Sequence, residues 1–404
     1  MKKVLYIALC LALALSAMGG AFAEGAALAP GVTVVADENS PTGYTATFVY
    51  ENADAQSVGL TGTFLFCKPG ENYGALPENT YSAFEWEPGM FRASMSDFAT
   101  TEAMAKVEGT DYWTISLPLP SGHYLYNYNV DGAEGNIPDP ANPPMASTAE
   151  SGNASKLSTL DVPYDARQGD SVDFSFMMPR TDGQSGQIVY ADYTDVNGDL
   201  APLAIYLPYG YDAGREEGYK TLYLSHGGGG NEMEWFASGN TNYVFDTLIA
   251  EGKVEPTIIV TMCNTTYGWD FDVINENVIG HIIPFMEGNY NVGTEPSDRA
   301  FAGLSMGGMT TNNMYAAYAD QFGYFGFFSG SDSSITLNAE DVGKLSSPVL
   351  MAGNGCYDFF NEDALLVQLK ALGIPCDEYI VAGGHDWTVW QVLVRIFATD
   401  YLWK

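Results

Sequence analysis

From about residue 167 onward, apolar and polar positions alternate between two textures. Short apolar runs, Thr221–Leu224, Ile258–Thr261, Arg299–Ala302, Tyr324–Phe328, Pro348–Gly353 and Tyr379–Ala382, are each bounded by turn-forming residues and predict buried strands. Between them lie segments with apolar residues at helical spacing. Met306–Ala319 is free of proline and offers Met309, Met314, Ala317 and Tyr318 as a helix face. Val273–Met286 sets Ile274, Val278 and Phe285 on one face, with His281 beside them as a packed histidine. Strands alternating with helices predict an open α/β sheet. Before residue 166 the pattern changes to period two. Tyr44–Tyr50, Tyr112–Leu117 and Tyr124–Val130 alternate between turns, as in an all-β sandwich. Ser147–Ser158 reads as a surface loop, and the boundary is expected near Pro163 to Gly169.

Gly303-Leu304-Ser305-Met306-Gly307 lies where a predicted strand turns into a predicted helix. Such a turn exposes the serine hydroxyl at the sheet's end, and bulk at 303 or 307 would meet neighbouring backbone. A serine needs a base, an orienter for that base, and donors for the oxyanion. The chain has four histidines. His385, in Gly383-Gly384-His385-Asp386-Trp387 at the end of a strand, is the candidate base. His226 opens His226-Gly227-Gly228-Gly229-Gly230 after another strand, a loop whose amides, with that of Met306, suit an oxyanion hole. Gly227 and Gly228 are the expected donors. His123, in a tight turn of the first domain, is expected at the surface. Serine, acid and histidine follow in that chain order in this type of site, which leaves Asp358 or Asp332 as the acid. Asp358 is preferred because its strand directly precedes the histidine's. Glu362 and Asp363 read as first-turn helix charges.

Residues 167–404 resemble the family-one carbohydrate esterases, which include feruloyl and acetylxylan esterases. The resemblance rests on His226-Gly-Gly-Gly-Gly-Asn231 with Trp235-Phe236, Leu248–Lys253 leading into Ile258–Thr261, and Ile283-Pro284-Phe285. It rests further on Asp298–Gly308 and Gly383–Trp390. It implies an α/β-hydrolase domain with Ser305 as nucleophile, His385 as base and Asp358 as acid, the last in a Gly355-Cys356-Tyr357-Asp358 loop. No metal or other cofactor is implied. Siderophore esterases and acyltransferases share the fold, so chemistry is better determined than substrate. A carbohydrate-binding protein with an inactive hydrolase fold is the non-enzyme alternative. Asn231, Trp235 and Trp269 are expected to border the cleft and touch substrate. Trp113, Leu117–Tyr124, Val130–Gly132 and Asp139–Pro143 resemble early-set immunoglobulin-like modules, making residues 24–165 the sandwich and 166–404 the esterase domain. Trp86, Trp113 and Tyr126 are its candidate sugar-stacking rings, but Trp113 lies in a strand with core alternation and the preferred reading is a module that packs beside the catalytic domain.

Composition adds an address. Lys2-Lys3, the apolar Val4–Ala17 and Ala21-Phe22-Ala23 read as an export signal over residues 1–23, and so predict a secreted protein. A net charge of −34 disfavours nucleic acid and anionic membranes as partners. The expected partner is instead a polysaccharide or a small phenolic ester. Cys67, Cys263, Cys356 and Cys376 show no metal-site spacing, and in an exported protein some could pair.

Overall fold

The structure is a computed structural model that describes residues 28–70, 80–93 and 101–404; the export-signal reading of residues 1–23 lies outside them. The C-terminal domain is built on eight strands. They are β1 (Gln187–Thr194), β2 (Leu200–Leu207), β3 (Lys220–Ser225), β4 (Thr257–Met262), β5 (Arg299–Leu304), β6 (Tyr324–Phe328), β7 (Val349–Gly355) and β8 (Asp377–Val381). Across the sheet they run β1-β2-β4-β3-β5-β6-β7-β8. β2 is antiparallel to both neighbours, and every later pairing is parallel. Parallel strands need crossovers, and those helices cover both faces. Every residue of β4, β5 and β6 is therefore buried, which is why their sequences are mostly apolar, with Thr257, Thr261 and Arg299 as the buried polar exceptions.

Along β5 the side chains alternate between two apolar layers. Ala300, Ala302 and Leu304 join the layer containing Trp235, Phe245, Trp390 and Leu393, while Phe301 joins Val260, Met314 and Phe325 on the other face. Each large side chain so buried contributes about 1.5–3 kcal/mol. The helix after β5, Met306–Tyr318, departs from the expected face. It buries Thr310, Thr311, Asn312, Met314 and Tyr315, whereas Ala317 is exposed. The hydroxyls of Thr310 and Thr311 donate to the carbonyls of Met306 and Gly307 at 3.0 and 2.7 Å, so polar residues pass into the interior already satisfied.

The described residues of 31–162 form two antiparallel four-stranded sheets and a two-stranded ribbon, Phe66–Cys67 with Phe91–Arg92. One contains Gly31–Ala36, Tyr44–Glu51, Tyr112–Leu117 and Ala105–Lys106; the other contains Ser158–Val162, Gly122–Val130, Val58–Gly62 and Thr101–Ala103. The structure favours packing over sugar stacking for Trp86, Trp113 and Tyr126, because all three rings are buried in the sandwich core. Tyr126 and Tyr128 are held inside by donating to Asp139 Oδ2. His123 is also corrected. It is buried at the junction of the domains, bridging Asp161 and the carbonyl of Ala237, each at 2.8 Å. Leu125, two residues on, packs in the core of the C-terminal domain.

Candidate active site

Ser305 is the first residue beyond β5 and caps the helix Met306–Tyr318 with φ 55° and ψ −118°. A non-glycine residue in this region is strained by about 1–3 kcal/mol, and the surroundings must hold it there. They do so by close approach. A Cβ at Gly303 would stand 2.3 Å from the carbonyl oxygen of Gly307, and one at Gly307 would stand 2.2 Å from that of Ser225. The Ser305 N–H donates to Phe328 O at 2.9 Å, tying the turn to β6.

His385 reaches this turn from the loop after β8. Its Nε2 lies 2.9 Å from Ser305 Oγ, and its Nδ1 lies 3.0 and 3.1 Å from the two carboxylate oxygens of Asp358. The Asp358 side chain is fully enclosed, and the Phe360 N–H donates to its Oδ1 at 2.8 Å. Asp332 sits elsewhere. Its carboxylate accepts from Ser334 and from Asn313 Nδ2, which hold its pKa below the usual value against the opposing effect of burial. Asp386, next to the histidine, accepts from the Gly384 and Thr388 amides and so pins the loop rather than the ring. Trp390 presents an edge to His385, with centroids 5.0 Å apart at 90°, and its indole N–H donates to Ser329 Oγ at 3.0 Å.

The glycine loop lies across from the histidine. A Cβ at Gly227 would be 3.3 Å from Ser305 Cβ, so the backbone there passes against the serine. Met306 opens the helix, and amides of a first turn have no partner within the helix. Both features suit an oxyanion. His226 fastens the loop from behind: its Nδ1–H donates to Gly227 O at 2.6 Å and its Nε2 accepts the Asn264 N–H at 2.9 Å. Burial lowers its pKa to about 4, so the ring is neutral. Trp235 is corrected from the cleft rim. It is 1 % exposed, and its indole N–H donates to Ser225 O at 3.0 Å beneath the loop. Asn231 is occupied with the Met233 amide and the Ala154 carbonyl. Trp269 is 64 % exposed, and with Phe271, Met309, Asn313 and Asp332 it lines an open cleft of about 540 Å3. The Ser305 carbonyl accepts the Met309 N–H, so that cleft begins one helical turn from the serine.

Two features beside His385 escaped the sequence reading. Phe359 and Phe360 lie with ring centroids 5.2 and 5.1 Å from the imidazole, and Phe359 is 73 % exposed. Two adjacent phenylalanines right after the candidate acid were the available signal. Glu362 is wholly buried, not a surface charge on a helix end.

Strand order, a serine on the sharp turn after β5, and an acid and a histidine on the loops after β7 and β8 define an α/β-hydrolase. Residues 197–354 match the Esterase family model, so that stretch carries an esterase domain, in the class of the carboxylic-ester hydrolases. Over 345 residues the chain is 28 % identical to an endo-1,4-beta-xylanase/feruloyl esterase of Xylanibacter ruminicola, covering 80 % of this chain and 45 % of that one. It thus spans less than half the length of that relative. A ferulic acid esterase of Anaeromyces mucronatus, solved with ferulic acid, shares the fold at TM-score 0.51 and 21 % identity over 57 % of this chain and 96 % of its own. The enterobactin esterase of Shigella flexneri shares it at TM-score 0.53 and 15 % identity, over 89 % of this chain and 93 % of its own. That coverage extends the likeness of fold through the sandwich.

Proposed function

We propose that the protein is an exported serine esterase that releases feruloyl, in preference to acetyl, groups from hemicellulose side chains. The observation carrying the reading is the chain of contacts Ser305 Oγ–His385 Nε2 and His385 Nδ1–Asp358, at 2.9 and 3.0 Å. His385 takes the hydroxyl proton as Ser305 Oγ bonds to the ester carbonyl carbon. Amides of Met306, Gly227 and Gly228 receive the oxyanion. Collapse expels the alcohol, which takes the proton from His385 and leaves an acyl-serine. Water, deprotonated by the same histidine, then releases the carboxylic acid and restores the serine. Asp358 holds the imidazole tautomer and balances its charge in both halves.

Geometry also divides the substrate. The leaving oxygen must lie within hydrogen-bond reach of His385 Nε2, so the alcohol side falls beside Phe359. The acyl side then points toward the cleft of Trp269 and Met309. An exposed ring suits a sugar, and the cleft suits a planar phenolic acid. The relative of Xylanibacter ruminicola supports the choice of feruloyl esters.

A panel of methyl ferulate, acetylated xylan, 4-nitrophenyl acetate and a catecholate trilactone tests this. Fastest turnover of the ferulate is expected. Preference for the trilactone would make the protein a siderophore esterase, and new ester formed with an added sugar would make it an acyltransferase. Inactivity on all four would leave the non-catalytic, carbohydrate-binding reading. Among the described residues no helix is long and apolar enough to cross a membrane.

A further inference from the structure

Residues Ser329–Ser331, just after β6, touch the support of every member of the Ser305–His385–Asp358 chain. Gly330 is pressed onto the serine turn, where a Cβ would stand 2.1 Å from Ser305 O and 3.1 Å from Gly308 Cα. Ser329 Oγ accepts from Trp390, the ring that backs His385. The Ser331 N–H donates to Asn361 O at 3.3 Å, within the loop that carries Asp358. The shortest of these ties is the Gly330 N–H to Glu362 Oε1, at 2.6 Å. Glu362 is 0 % exposed, its Oε2 has no hydrogen-bond partner, and Asn312 Nδ2 donates to the carbonyls of Gly308 and Gly330 beside it. A carboxyl so enclosed is costly to keep unless it holds something in place.

We propose that Glu362 is a positioning residue that, through the Gly330 amide, sets the loop carrying Asp358 against the turn carrying Ser305. The proposal rests on the esterase reading above. Glu362 reaches Ser305 and Asp358 only through backbone and packing, so it is no catalytic group. Its surroundings favour the neutral form. Burial, then the charges of Asp358 and Asp363, push its pKa up to about 7 against the pull of the Gly330 amide and Asn312. The Cys376 thiol, packed near it, is itself pushed up to about 12, chiefly by burial. Below neutrality Glu362 therefore carries a proton, and Oε2 is the oxygen free to hold it. Above neutrality it gains a charge near Asp358.

Two variants separate positioning from mere packing. Glu362→Gln keeps an acceptor for Gly330 but cannot ionise, whereas Glu362→Ala loses the tie. With 4-nitrophenyl acetate, Glu362→Ala should lose about ten- to hundredfold in kcat with little change in KM. Glu362→Gln should keep kcat within about threefold near pH 6, and its kcat/KM profile should depart from wild type above neutrality, where Glu362 ionises and glutamine does not. A wild-type kcat in Glu362→Ala, or an unmoved pH profile in Glu362→Gln, overturns the proposal. If Glu362→Ala does not fold, the Glu362→Gln profile decides alone. Wild-type protein inactive on every ester overturns the esterase reading itself, and this proposal with it.

Discussion

Acidification from about pH 7.5 to pH 4 should unfasten the glycine loop through one side chain. His226 is 1 % exposed, and both ring nitrogens are engaged: Nδ1–H with Gly227 O and Nε2 with the Asn264 N–H. Protonating Nε2 would set two donors against each other. Burial accordingly lowers the imidazole from 6.5 to about 4. The sign follows from linkage. Between these values the unfolded chain binds a proton that the folded protein does not, so stability falls as the pH drops. The contribution is complete above the unfolded value of 6.5, declines through the interval, and is gone below about 4. A shift of this size corresponds to about 3 kcal/mol. Many carboxylates titrate over the same range, so the quantity to measure is a difference. His226→Gln offers an oxygen to the Asn264 amide without titrating. Urea unfolding at several pH values should show wild type losing about 3 kcal/mol more than this variant between pH 7.5 and 4. With four histidines in the chain, imidazole NMR can follow each ring directly. Parallel stability curves, or a His226 resonance titrating near 6.5, would refute the reasoning.

Ser305→Ala should reduce kcat on 4-nitrophenyl acetate by about 10⁶-fold. Asp358→Asn should cost about 10⁴-fold by leaving the wrong tautomer, while Asp332→Asn stays within about tenfold. The reverse ranking would move the acid to Asp332. Gly307→Ala puts a Cβ 2.2 Å from Ser225 O, so it should lower stability by more than about 3 kcal/mol, and a wild-type melting temperature would contradict the contact. Removing residues 28–165 strips His123 from the Ala237 carbonyl and Leu125 from the C-terminal core. The remaining domain should be insoluble or melt well below the full chain, and an unchanged melting temperature would show the domains to be independent.

Features set by a few consecutive residues were legible before any coordinates. Gly303 and Gly307 flank Ser305 because the turn leaves no room for a side chain at either position. The runs of β4, β5 and β6 are predominantly apolar because helices cover both faces of the sheet. His385 could be singled out because histidine is scarce and this one follows a strand. Properties decided by distant neighbours were not legible. Strand order favoured Asp358 over Asp332, and the contact with the imidazole itself is made by tertiary packing. Trp235 and Trp269 both follow strand ends in the sequence; one closes the core and the other faces solvent. His123 looked like a turn residue and lies in an interdomain joint.

Glu362 shows the difference most clearly. As a letter before a helix it is an ordinary surface acid, and the fold instead encloses it behind Gly330 and next to the charge of Asp358. Local backbone geometry is written in neighbouring residues, so the chain alone determined the serine turn, the strands and the class of chemistry. Burial and the field at a side chain arise from segments far apart in sequence. Only the tertiary structure decided which acid meets the histidine, which aromatic rings stay exposed, and which carboxyl is kept from water.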